Sequence, residues 1–163
     1  MEFASYVDEG GWTHAAFPFR SDSTGRFYVI VGDETFPTGL DPEGPTVPGG
    51  YMHVVDFTDL ENPVEVARFE VPEAGSHNMW VEDDVLYAAF YNGGLRVVDL
   101  SGELMGDLYR QGRQIASFQP KHPDAVVPNE SMVWGAQPHK GVVFLSDWNS
   151  GLWALRLEPE EED

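Results

Sequence analysis

The feature that most constrains this chain is an internal repeat, since a repeated segment must fold into a repeated structural unit. In residues 75–102, GSHNMWVEDDVLYAAFYNGGLRVVDLSG, a break at Val81 to Asp84 precedes an apolar run, Val85 to Phe90. Tyr91-Asn92-Gly93-Gly94 then supplies the glycines of a turn, and Leu95 to Leu100 forms a further apolar run. A shorter run, Gln114 to Phe118, completes a set of four. The same order occurs upstream: Trp12 to Phe17, Phe27 to Val31, Met52 to Phe57 and Val66 to Phe69. By pattern, Phe27-Tyr28-Val29-Ile30-Val31 aligns with Leu86-Tyr87-Ala88-Ala89-Phe90, and Met52 to Phe57 with Leu95 to Leu100. It occurs again downstream as Val133 to Gln137, Val142 to Leu145 and Leu152 to Leu157, with Asp147 to Gly151 as the turn. The aligned positions in the first run are His14, His77 and Trp134, spaced by 63 and 57 residues.

Runs of four to six residues rich in Val, Ile, Leu and aromatics, bounded by Gly, Asn and Asp, are strands. Four short strands repeated with variable loops predict an all-β chain and, specifically, a β-propeller of three four-stranded blades. About twelve strands in three antiparallel sheets are expected, with helix confined to short turns. Phe3-Ala4-Ser5-Tyr6 resembles the fourth strand of the other copies, and Glu158 to Asp163, EPEEED, supplies no counterpart. The strand order is therefore D-A-B-C, with repeats at about 3–57, 66–100 and 115–157 making a single unit over residues 1–157. Residues 158–163 are expected to form an acidic disordered tail. Three blades are too few to close a ring, so the expected assembly is half or part of one. Either further blades of a longer chain or self-association of two copies completes it.

The chain of 163 residues carries 28 acidic and 9 basic residues, for a net charge of −19. That surface repels phosphate backbones and anionic headgroups, so nucleic acid is not an expected partner. No apolar stretch approaches the length of a membrane span, so no membrane insertion is expected. The opening MEFASYVDEGGW lacks the basic start and apolar core of a signal peptide. The absence of cysteine excludes disulfides, thiolate metal sites and cysteine nucleophiles.

The segments YMHVVDFTDLENPVEVARF and GLRVVDLSG resemble the LVIVD-repeat family of bacterial and archaeal β-propeller proteins. Val54-Val55-Asp56-Phe57-Thr58-Asp59 with Glu61-Asn62-Pro63 matches that repeat, and Val97-Val98-Asp99-Leu100-Ser101 matches its first half. The third copy departs from it, with Arg156 where Asp56 and Asp99 stand. The resemblance implies a propeller and an extracytoplasmic location. It does not imply an activity, because propellers host many functions.

His14 and His77 hold the same place in two repeats, on the strand that lines a propeller's channel. Two imidazoles plus a carboxylate are ligands for a divalent transition metal. The competing role for both is hydrogen bonding to a neighbouring blade. Asp33, Glu34 and Asp147 follow second strands at the same rim and are candidate ligand-binding residues, together with Trp148, which stands in a turn where it can stack on a sugar or cation. The other tryptophans are expected to pack between blades. Asp83-Asp84 and Asp41-Pro42-Glu43 lack calcium-loop spacing and are expected to be solvated turns. No nucleophile elbow, phosphate loop or zinc-protease motif is present. The insertions at 36–50 and 119–130 are of the kind that collect on one face and bind something. The leading expectation is a non-enzymatic scaffold or binding module. The alternative is a metal-binding propeller, or a metal-dependent oxidoreductase or hydrolase, that uses the channel-facing histidines.

Overall fold

A computed structural model describes residues 4–7, 12–35 and 49–158. Phe3, residues 36–48 of the first insertion and residues 159–163 of the acidic tail lie outside the described residues. The protein is all-β. Twelve strands are described, β1 (Thr13–Arg20), β2 (Phe27–Asp33), β3 (Met52–Asp56), β4 (Val64–Phe69), β5 (Ser76–Glu82), β6 (Val85–Phe90), β7 (Gly94–Asp99), β8 (Gly106–Asp107), β9 (Gln114–Phe118), β10 (Val133–His139), β11 (Val142–Asp147) and β12 (Gly151–Leu155), and no helix accompanies them. Among the described residues, no helix is long and apolar enough to cross a membrane.

The strands form three sheets, ordered β1-β2-β3-β4-β8, β5-β6-β7-β9 and β10-β11-β12. They are unequal, so three uniform four-stranded units do not describe the fold, and no sheet closes on itself. The first sheet gains β8, a two-residue strand from the loop between β7 and β9, which pairs in parallel with β4. That pairing also corrects the expectation of purely antiparallel sheets. It covers the backbone edge that β4 would otherwise expose. Ala4 to Tyr6, the described part of the outer strand read from sequence at Phe3 to Tyr6, form no strand. Instead the Tyr6 hydroxyl donates to Glu65 on β4, and its ring lies 6.2 Å from that of His53 on β3.

Local chemistry sets the turns. Asp83 and Asp84, at φ 52° and 55°, join β5 to β6, and Lys140 and Gly141, at 51° and 75°, join β10 to β11. Paired left-handed residues match the twist of a two-residue hairpin. Gly94 sits at φ 77°, and a Cβ there would lie 2.3 Å from the Phe118 carbonyl oxygen. The aspartates that end β3 and β7 have a common local role. Asp56 accepts from the Thr58 amide at 2.8 Å, and Asp99 accepts from the Ser101 amide at 2.8 Å. The Asp-x-Ser/Thr pattern is thus the signature of a side chain closing the turn after the third strand.

The second sheet lies between the other two, and alternation along β6 divides its side chains between them. Leu86, Ala88 and Phe90 join Ile30, Met52, Val54 and Phe69 of the first sheet in one buried cluster. Tyr87 and Ala89 join Val133, Ala136, Val143 and Leu145 of the third sheet in another. Burying each large side chain contributes about 1.5–3 kcal/mol. The first strands β1, β5 and β10 lie at one end of their sheets and contact one another in turn.

Cross-strand pairing defines the repeat more strictly than pattern does. Val54 pairs with Ile30, and Val97 pairs with Tyr87. Ile30, not Tyr28, is therefore the counterpart of Tyr87, and the second strands are offset by two residues from the alignment by sequence. The β1–β2 and β5–β6 pairings give the same answer, since Ala16 faces Val31 where Met79 faces Ala88. The counterpart in the third sheet is Phe144, which pairs with Ala154.

Candidate functional site

Each first strand carries a bulge at the same point. The register shifts between Thr13 and Ala15, between Ser76 and Met79, and between Val133 and Gly135. His14, His77 and Trp134 lie in these bulges, the equivalent positions that the repeat predicts. A bulge re-aims a side chain out of the regular pleat. Here it turns the three rings toward one another. The His14 and His77 centroids are 4.2 Å apart. His77 stacks on Trp134 at 5.0 Å with 18° between planes, and Trp134 lies 4.8 Å from Trp148.

Glu34, immediately after β2, completes the group. His14 Nδ1 lies 3.1 Å from Glu34 Oε2, and His77 Nε2 lies 3.7 Å from Oε1. All three ligand atoms fall within 4.8 Å of one another. The other nitrogen of each ring is committed elsewhere. His77 Nδ1 lies 2.7 Å from the Trp134 carbonyl oxygen, which can only accept, so Nδ1 carries the hydrogen. His14 Nε2 lies 3.2 Å from Asn78 Oδ1 and donates to it. In the neutral rings, lone pairs on His14 Nδ1 and His77 Nε2 therefore face a carboxylate. Burial pushes the His77 pKa down, the nearby His14 adds to that, and the Trp134 carbonyl and Glu34 oppose it only in part. His77 is thus held in the neutral form that a metal needs. The Tyr91 hydroxyl donates to Glu34 Oε1 and orients the carboxylate; burial and this bond push the Tyr91 pKa up.

Gly32 makes the close approach of the two sheets feasible. A Cβ there would lie 2.4 Å from Met79 Cε and 3.1 Å from the His77 carbonyl oxygen. Along the same first strands runs a cavity of about 440 Å³, lined by Asn78, Trp80, Gln137, Phe144 and Leu152 among others.

The remaining candidates separate from this group. Asp33 is buried and is committed to His53, whose Nε2 lies 2.9 Å from Asp33 Oδ2. His53 Nδ1 lies 3.1 Å from Glu65 Oε2, so both ring nitrogens donate and the ring is a buried cation. Burial lowers its pKa, but Asp33 and Glu65 outweigh that and raise it. Asp147 is buried too and closes its own turn, accepting from the amides of Met132, Asn149 and Ser150 at 2.6, 3.1 and 2.6 Å. Both aspartates are thus engaged by groups of the protein itself. Trp148 is exposed at the end of the ring column. Sequence reasoning placed Glu34 among the rim acids without joining it to the histidines. Asp84 is expected from sequence to stand in a solvated turn. Asp84 is instead buried and accepts from Ser21 Oγ (3.1 Å), the Asp22 amide (3.1 Å), the Ser23 amide (2.9 Å) and Ser23 Oγ (2.6 Å). It clamps the β1–β2 turn to the second sheet. Its one sequence signal is the Ser21-Asp22-Ser23-Thr24 turn, which offers several donors. The chain matches no protein-family model and no curated protein.

Proposed function

We propose that this chain binds one divalent transition metal through His14 Nδ1, Glu34 and His77 Nε2, on a β-propeller scaffold of which the three sheets are consecutive blades. The observation that carries the reading is that one nitrogen of each imidazole converges on a carboxylate while its other nitrogen is engaged elsewhere. That arrangement is repulsive unless a cation or a proton lies between. Ligand atoms about 2.1 Å from a tetrahedral metal are about 3.4 Å apart. The distances of 3.1 and 3.7 Å bracket that value. The outer imidazole N–H groups, donated to Asn78 Oδ1 by His14 and to the Trp134 carbonyl by His77, are the usual supports of metal-bound histidines.

Two histidines and one carboxylate leave coordination positions for water or a ligand, as in hydrolytic zinc sites and non-haem iron sites. The scaffold reading and the metal reading are compatible: the repeat supplies the framework and the bulges supply the site. The propeller reading draws on the repeated strand order, on the repeated bulge and on the resemblance to the LVIVD repeat. The test is elemental analysis and calorimetric titration of protein stripped with a chelator, then offered zinc, iron(II), copper(II) or nickel. One metal per chain is expected, and none in a His14→Ala, His77→Ala variant that keeps the wild-type circular dichroism. Equal binding by that variant overturns the proposal.

A further inference from the structure

We propose that two copies of this chain pack head to tail, the outward face of the third sheet of each against the first sheet of the other. This rests on the repeat geometry and is independent of the metal reading.

The chain makes one type of sheet-to-sheet contact twice. Ile30, Met52 and Val54 of the first sheet, all 0% exposed, are covered by the second. Their counterparts Tyr87, Leu95 and Val97, at 8%, 2% and 0%, are covered by the third. The next counterparts, set by the β11–β12 pairing, are Phe144, Leu152 and Ala154. These are exposed, Phe144 at 41% and Leu152 at 77%. The third sheet thus presents the same apolar face with nothing from the described residues on it.

The receiving half of the contact is also open once. Met79 and Ala136 face the preceding sheet and are buried in the two clusters. Their counterpart on β1, Ala16, is exposed, and so is Pro18, the counterpart of buried Val81. On this face exposure falls across the first sheet, from Ala16 on β1 through half-buried Val29 on β2 to buried Val55 on β3. The covered side is where Tyr6 lies against His53. Tyr6 stands to His53 as Phe118 of β9 stands to Trp153, at 6.2 and 5.6 Å between centroids. Trp153 and His53 are counterparts by pairing, Trp153 with Leu145 and His53 with Val31. Residues 4–7 therefore sit where the fourth strand of a preceding sheet belongs. In the dimer that preceding sheet is the third sheet of the other copy, which lacks a fourth strand among the described residues.

Each copy thus offers one half of an interface that it already forms internally, and the complementary half at its other end. Such a contact is heterologous, and two copies close it with six sheets, within the four to eight blades typical of propeller rings. A same-face pairing of two third sheets would leave Ala16 and Pro18 open.

Light scattering coupled to size exclusion, over a dilution series, reads the mass. Twice the chain mass of 18.2 kDa is expected. Leu152→Glu and Pro18→Glu alter opposite halves at exposed positions, so both fold, which circular dichroism and thermal melting check. Each alone should reduce the mass to one chain. Mixed one to one, they should restore about twice the chain mass, because the mixed pair retains one unaltered interface. A monomeric wild type, a mass other than twice the chain, or a Pro18→Glu variant that still dimerises fully overturns the proposal.

Discussion

Asp84 gives the sharpest test of how the two histidine-bearing sheets are held together. Its carboxylate accepts from the amides of Asp22 and Ser23 and from the hydroxyls of Ser21 and Ser23, all in the first sheet's turn. Asp84→Ala removes two charge-assisted bonds to backbone amides, each contributing about 1.5 kcal/mol. The hydroxyls of Ser21 and Ser23 already lie 3.1 Å apart and can pair with each other, so they add little. Alanine at φ 55° costs about 1 kcal/mol more, because Cβ crowds the carbonyl in the left-handed region. The total is about 4 kcal/mol. Asp84→Gly omits the conformational part and should cost about 3 kcal/mol. Asp84→Asn keeps one acceptor and tolerates the left-handed region, so it should cost about 1–2 kcal/mol. Urea denaturation at neutral pH reads all three. The pH dependence adds a sign. Burial pushes the Asp84 pKa up, but the donors on Ser23, Asp22 and Ser21 outweigh it and hold the group below the ordinary carboxylate range. Its contribution is therefore complete above the unfolded value of about 3.9 and is lost as pH falls through the folded value. The gap between wild type and Asp84→Asn should close in that acid range. An Asp84→Ala loss under about 1 kcal/mol, or an Asn variant as unstable as the Ala variant, would refute the clamp.

Three other perturbations probe the site and its supports. Gly32→Ala should cost about 1–3 kcal/mol and weaken metal binding, since its Cβ presses on Met79 and on the His77 carbonyl; unchanged melting and metal titration would contradict the close-approach argument. Asn78→Ala should lower metal affinity about 10- to 100-fold in a competition titration, with Asn78→Asp restoring it by supplying an acceptor to His14 Nε2. His53→Ala removes the imidazole from between Asp33 and Glu65 and should cost about 3–5 kcal/mol by chemical denaturation. A near-neutral result there would mean that the two carboxylates find other partners.

Every described strand except β8, with its turns, is legible from residue pattern alone, because period-two alternation and left-handed turn residues are local requirements, although the pattern also suggests an outer strand at Phe3 to Tyr6 that Ala4 to Tyr6 do not form. So is the equivalence of His14, His77 and Trp134, since a repeated bulge leaves a repeated sequence context. The alignment of the second strands illustrates where locality ends. A slip of two residues leaves every side chain on its original face, so alternation cannot distinguish Tyr28 from Ile30 as the counterpart of Tyr87. Only the hydrogen-bonded partners on both flanking strands decide it. The parallel addition of β8 to β4 is invisible for a related reason. Two residues carry no periodicity, and their pairing partner lies in another sheet. Glu34, His53 and Asp84 draw their roles from side chains on other strands or in another sheet: His14 and His77, Asp33 and Glu65, and the Ser21–Ser23 turn. A carboxylate or imidazole has the same sequence signature whether it faces water or a fixed donor. Residue pattern therefore determined the all-β character and most of the strands, while tertiary structure decided which acids are buried supports and which one joins the histidines, because that depends on how neighbouring sheets stack.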